Sequence, residues 1–149
     1  MSINSDIAVK YFCDGFNCSQ AVLISHSEEL GLDKENALKV SCAFGGGMGH
    51  IGETCGAVTG ALMVIGLKYG KYKIEDTASK EKTYSLVKKY TNEFKKLHGS
   101  IKCKDLLPYD ISISEELKKA KEANVFTTIC PKLVESSVAI VEKVIKEEI

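Results

Sequence analysis

The chain contains no arginine: all 20 of its basic residues are lysines. Without a guanidinium fork it lacks the usual bidentate clamp for phosphate or carboxylate. Its 20 acidic residues balance the lysines, which leaves no overall basic footprint for nucleic acid. Long hydrophobic runs are missing as well. The longest apolar-rich stretch, Gly56 to Leu67, is too short to span a bilayer, and Met1 to Asp6 carry neither a basic n-region nor an apolar h-region. These absences predict a soluble, cytoplasmic protein with no nucleic-acid partner and no membrane span. There is also no Cys-x-x-Cys pair, and the Cys13 to Cys18 spacing has no matching second pair, which argues against a zinc ribbon or a thioredoxin motif.

Cysteine itself is plentiful. Six are present (Cys13, Cys18, Cys42, Cys55, Cys103 and Cys130) in a chain of 149 residues, a length that builds one core without disulfide staples. In a reducing compartment structural disulfides rarely persist, so metal binding or thiol redox chemistry is the expected use for most of them. The densest feature lies around Cys55, where Gly45, Gly46, Gly47, Gly49, Gly52 and Gly56 crowd one thiol. Glycines let backbone amides approach a ligand closely, and such amides could stabilise a thiolate, a cluster sulfur or an anion.

Periodicity is helical almost throughout and predicts an all-α, single-domain bundle of about six to seven helices with a Gly-rich loop. The expected helices are about Ser5 to Cys13, Asn17 to Gly31 with Asn17 as cap, and Lys34 to Phe44 capped by Asp33, followed by Gly56 to Tyr69 and Ala78 to Leu97. A short helix to about Ala123 is expected from a Ser112/Glu115 capping box, and a last one from Cys130-Pro131 to about Glu148. Gly56, Ala57, Gly60 and Ala61 form a thin side that admits a second helix and would also permit self-association into a homo-oligomer. Val87, Tyr90, Phe94 and Leu97 make the apolar face of the fifth helix, and Val134, Val138, Val141 and Ile145 that of the last. Cys18, Cys55 and Cys130 fall near helix starts, where the dipole favours a thiolate, and Cys103 lies in a turn. Such boundaries can converge at one end of a bundle.

At these residues the chain resembles the family of small redox-active proteins labelled C_GCAxxG_C_C. The motif stands here as Cys55-Gly56-Ala57-Val58-Thr59-Gly60, preceded by Gly15-Phe16-Asn17-Cys18-Ser19-Gln20-Ala21-Val22 and Phe44-Gly45-Gly46-Gly47-Met48-Gly49, and followed by Cys103-Lys104-Asp105-Leu106-Leu107 and Cys130. The resemblance implies a four-cysteine set, Cys18, Cys55, Cys103 and Cys130, with a redox role in an all-helical domain. Some relatives carry selenocysteine in place of a cysteine, and a similar domain holds an iron-sulfur centre in a haem protein. Cys13 and Cys42 lie outside the set and read as ordinary buried or accessory thiols.

Two chemistries suit the four thiols. They can ligate a metal centre, a [2Fe-2S] cluster before zinc, with Gly45, Gly46, Gly47, Gly49 and Gly56 offering amides to it. Alternatively, a pair performs thiol-disulfide or peroxide chemistry with Cys55 as nucleophile. A non-redox helical interaction module is the remaining alternative. His50 and Glu53 read as solvent-facing loop residues, and His98 as a dipole complement at a helix end. Tyr84, Tyr90 and Phe94 read as core or boundary packing. The partner expected for either redox chemistry is another redox protein, to which the lysines of the fifth helix (Lys80, Lys82, Lys88, Lys89, Lys95, Lys96) could present a docking face.

Overall fold

The helix expected from Asn17 onward lies at the centre of the molecule. The computed structural model describes residues 2–149, and in it α2 (Cys18–Ser27) is buried along nearly its whole length, serines and His26 included. A helix covered on all sides shows no apolar stripe. Its cover is α1 (Ile3–Cys13), α3 (Lys34–Cys42), α5 (Gly56–Tyr69) and α10 (Cys130–Ile145). The long α6 (Thr77–His98) closes the bundle against α5 and α10. Short segments α4 (Gly45–Met48), α7 (Cys103–Leu106), α8 (Ser114–Glu122) and α9 (Val125–Thr128) fill the connections. The protein is an all-α single domain, and among the described residues no helix is long and apolar enough to cross a membrane.

The α2–α5 contact is the tightest in the fold. A Cβ on Gly60 would lie 2.8 Å from the Ser19 carbonyl oxygen and 2.9 Å from Val22 Cβ. One on Gly56 would lie 3.0 Å from the Ser19 nitrogen. The small-residue side is therefore consumed inside the molecule, and it offers no surface for the self-association expected of it. Behind it, Ser137 Oγ donates to the Ala57 carbonyl (2.6 Å), so the Tyr90 hydroxyl must donate to Ser137 (2.7 Å), which joins α5, α10 and α6 through one buried chain. At the far end, Lys68 Nζ and Tyr69 Oη both donate to the Ile145 carbonyl at 2.9 Å.

Several expectations need correction. The helix count does not: among the described residues the seven expected helices are all present, joined by three four-residue turns, α4, α7 and α9, too short to show a period. Helix α2 stops at Ser27, ahead of Gly31, whose φ of +90° marks the following turn. Helix α3 stops at Cys42 and α10 at Ile145, both short of the expected ends. The Ser112/Glu115 box does not form: Asp110 Oδ1 accepts from both the Ser112 amide and hydroxyl, at 3.0 and 2.5 Å, and α8 begins at Ser114. On α6 the buried stripe follows four-residue steps through Leu86, Tyr90 and Phe94, leaving Leu97 65% exposed; Tyr84 is exposed too. Of the lysines on that helix, Lys82 pairs with Glu147 and Lys96 with Glu93. His98 packs at a tilt against the Phe94 ring and leaves Nε2 buried without a partner, instead of serving the helix end.

A buried histidine braces the N-terminal helix. Ser25 Oγ donates to the Val22 carbonyl (2.6 Å), so His26 Nδ1 carries the proton and donates to Ser25 (2.8 Å), while Nε2 accepts from Asn4 Nδ2 (3.2 Å). Burial holds the His26 pKa below its ordinary value, against the opposing pull of Glu29 and Glu142.

Two predictions follow from this packing. Gly60→Ala should cost about 1–3 kcal/mol by overpacking. Gly66→Ala on the same helix, where an added Cβ meets nothing within 4 Å, should instead stabilise by about 0.5–1 kcal/mol. Denaturant titration of both variants checks the pair. Because the unfolded chain binds a proton on His26 more readily than the folded one, that residue's contribution is full above about pH 6.5 and shrinks as pH falls below it. Denaturation midpoints measured across that range should decline on the acid side, and His26→Gln should flatten the decline.

Candidate functional site

The local sequence brings the cysteines together by four separate devices. Cys18 opens α2, set there by a complete capping box in which Asn17 Oδ1 accepts from the Gln20 amide and Gln20 Oε1 from the Asn17 amide. Asn17 Nδ2 also donates to the Cys42 carbonyl at 2.9 Å, fixing the end of α3 beside it. Cys55 is the N-cap residue of α5, and Cys130 opens α10 with Pro131 behind it. Cys103 opens α7, and it is tied to Cys55 by the one extended pairing among the described residues, an antiparallel bridge between Thr54 and Lys102. Within that pairing the Cys55 amide donates to the Ile101 carbonyl (2.7 Å) and the Cys103 amide to the Glu53 carbonyl (2.6 Å).

All four thiols are buried, and all four line one cavity of about 130 Å³. Phe12, Leu106, Leu107, Phe126 and Leu133 supply its apolar wall, with Asn17, Gly46, Gly47, Gly56 and His50 completing the lining. No carboxylate and no lysine reaches it. Of the glycines expected at the site, Gly46, Gly47 and Gly56 line the cavity; Gly45 packs against Asn17, and Gly49 closes its turn by donating to the Gly45 carbonyl at 2.8 Å. Cys13 and Cys42 are exposed and lie outside the lining, contrary to a reading of either as buried. Glu53 is half-buried and pairs with Lys104 at 3.4 Å.

Burial dominates the thiol electrostatics. The helix start does help Cys55, since the Ala57 and Val58 amides favour its thiolate, but desolvation outweighs them and the thiol is pushed up to about 11. The expectation that the helix end would make Cys55 the readily ionised nucleophile is thus overturned, because the dipole acts on a group that water no longer reaches. Desolvation and the neighbouring Cys55 and Cys130 charges raise Cys103 to about 12. Cys18 and Cys130 share a hydrogen bond. Cys18 donates and rises well above the ordinary value, while the accepting Cys130 sulfur falls below it. The easiest proton to remove from the cavity is therefore that of Cys130.

Sequence reasoning missed the Ala57 and Val58 amides, having looked to the Gly-rich loop for donors; their position just inside a helix that starts at Cys55 was the available signal. It also missed the apolar wall, which is drawn from five residues with no shared local pattern. His50, read as a loop residue facing solvent, is exposed but also forms part of the lining.

The fold and the cavity define a small all-helical cysteine protein. A family model described as "Putative redox-active protein (C_GCAxxG_C_C)" matches residues 16–144, and the chain belongs to that family. No curated protein and no solved structure matches it.

Removing the Cys18 donor should raise the pKa of Cys130. In Cys18→Ala, ultraviolet thiolate absorbance followed against pH should lose its lowest-pH step, which shifts upward; an unchanged first step would show that Cys18 does not stabilise the Cys130 thiolate.

Proposed function

We propose that this chain is an electron-transfer protein that holds a [2Fe-2S] cluster on Cys18, Cys55, Cys103 and Cys130. One observation carries the reading: four thiols from four distant segments line a single cavity that contains no carboxylate or lysine. Such a soft, all-sulfur donor set suits iron-sulfur chemistry. The volume of about 130 Å³ is close to the ~150 Å³ of a protein cavity that admits benzene, so a core of a few heavy atoms fits.

Zinc is the alternative occupant of the same donors. A tetrahedral zinc ion needs four sulfurs about 2.3 Å from one point. Among the described residues no three His, Cys, Asp or Glu side chains are grouped closely enough to hold one metal ion. A two-iron core takes its thiolates in pairs, two to each iron. With Cys55 at about 11 and Cys103 at about 12, these two thiols stay protonated at neutral pH, so their ionisation calls for a cationic group beside them. Bound there, the cluster supplies one-electron exchange. The chain's part is to orient Cys55 through the Ala57 and Val58 amides, to exclude water with Phe12, Leu106, Leu107, Phe126 and Leu133, and to hold the ring of thiols rigid from the α2–α5 contact.

A second reading has its own support in the Cys18–Cys130 hydrogen bond and the lowered pKa of Cys130. Here the Cys130 thiolate attacks an oxidised disulfide partner and releases one partner thiol. Cys18 then displaces the second, giving an intramolecular disulfide and a fully reduced partner dithiol.

Anaerobic purification followed by visible absorption, iron and acid-labile sulfide analysis tests the two. Broad visible bands with matching iron and sulfide are expected, weakened or lost in serine variants of the four lining cysteines and retained in Cys13→Ser and Cys42→Ser. A colourless, metal-free protein whose Cys18 and Cys130 form a reducible disulfide would overturn the cluster and support the dithiol.

A further inference from the structure

The buried thiols pose a question of access. Each of the four is at most 9% exposed, and most of the lining is held in the core. Leu107, Leu133 and Cys130 belong to it, and Phe12, Leu106 and Phe126 pack against it. His50 differs: among the residues that line the cavity it is the one exposed to solvent.

Its backbone is equally distinctive. Gly46, Gly47, Met48, Gly49 and His50 have φ of 65°, 65°, 67°, 59° and 66°, five consecutive residues in the left-handed region. L-residues other than glycine visit that region reluctantly, and seldom in succession. The turn is closed by the Gly49 amide on the Gly45 carbonyl (2.8 Å) and joined to the cysteine-bearing pairing by the Glu53 amide on the Gly47 carbonyl (3.0 Å). Its handedness folds the His50 ring back over Gly46. A Cβ on Gly46 would stand 2.2 Å from His50 Cδ2, so the ring occupies space that any other residue at position 46 would fill. Gly47 lies directly against Cys103, where an added Cβ would be 2.7 Å from Cys103 Cβ. The segment thus pairs a backbone wall against Cys103 with one exposed ring seated in a glycine recess.

We infer that the His50 side chain is the movable cover of the cysteine cavity, closing into the recess left by Gly46 and swinging outward to admit a reactant or a metal-cluster precursor. The importance of such a cover rests on the reading of the cavity as the working centre, but its existence is a property of the empty chain and is tested there. The ring turns about its own side-chain torsions without disturbing the helices behind it.

The test is alkylation of the reduced, metal-free protein by iodoacetamide, followed residue by residue by mass spectrometry. Exposed Cys13 and Cys42 serve as internal standards. His50→Gly removes the ring and also suits the left-handed backbone, so it opens the cavity without straining the fold. His50→Phe keeps a ring of similar size without the imidazole nitrogens. A minor open state is commonly populated at about 0.1–10%, so the cavity thiols of His50→Gly should label about tenfold faster or more. Those of His50→Phe should label at the wild-type rate, with Cys13 and Cys42 unchanged in both. Wild-type labelling in His50→Gly, or equal acceleration in both variants, would overturn the cover. Neither result depends on whether a cluster binds.

Discussion

Everything at the cysteine end of the molecule depends on how closely two helices approach. Helix α5 meets α2 with no side chain between them at Gly56 and Gly60, so the Cys18 and Cys55 ends of the two helices come to the same place. A larger residue at either glycine would separate the helices by the width of a methyl group or more, and the cavity would lose its shape before any cysteine was altered. The hydrogen-bonded chain from Tyr90 through Ser137 to Ala57 holds the same region from the other side and places the start of α10, with Cys130, against it. The packing that gives the domain its core and the packing that gathers the thiols are one arrangement.

Within that arrangement two physical effects oppose each other. Helix N-termini direct partial positive charge at Cys18, Cys55 and Cys130, which favours anions, while an apolar wall removes the water that anions need. Burial wins at Cys55, and at Cys103 the charges of neighbouring thiols add to it. Cys130 escapes because a neighbouring thiol donates to it, so the balance is decided by one hydrogen bond inside the cavity. The resulting centre is quiet when empty. It discourages four thiolates from forming unaided, although amides and helix ends face the sulfurs.

Much of this was legible in the chain. Caps at Asn17 and Asp33, the extent of α5, and the valine face of α10 were set by local chemistry that the tertiary fold did not override. The position of cysteines at helix boundaries was visible for the same reason. The electrostatic outcome was not, because a helix start can be recognised from a few residues whereas desolvation depends on side chains as distant in sequence as Phe12 and Leu133. The left-handed turn was half legible. Its glycines announced freedom of backbone, but Met48 and His50 adopt positive φ too, and only the surrounding contacts require that of them. Capping at Ser112 failed because Asp110, two residues earlier, competes for the same groups.

The order of the four lining cysteines along the chain has a further consequence. They are contributed by α2, α5, α7 and α10, so successive members are separated by long stretches of polypeptide. Any covalent or coordinate bond between two of these sulfurs closes a large loop, and a centre that joins all four ties the domain together from near its beginning to near its end. Closure entropy grows only slowly with loop length, but large loops still take the most freedom from the denatured chain. A bond between these sulfurs would therefore also cross-link the whole fold, and a chain with such a bond would differ from one without it in how far it can unravel.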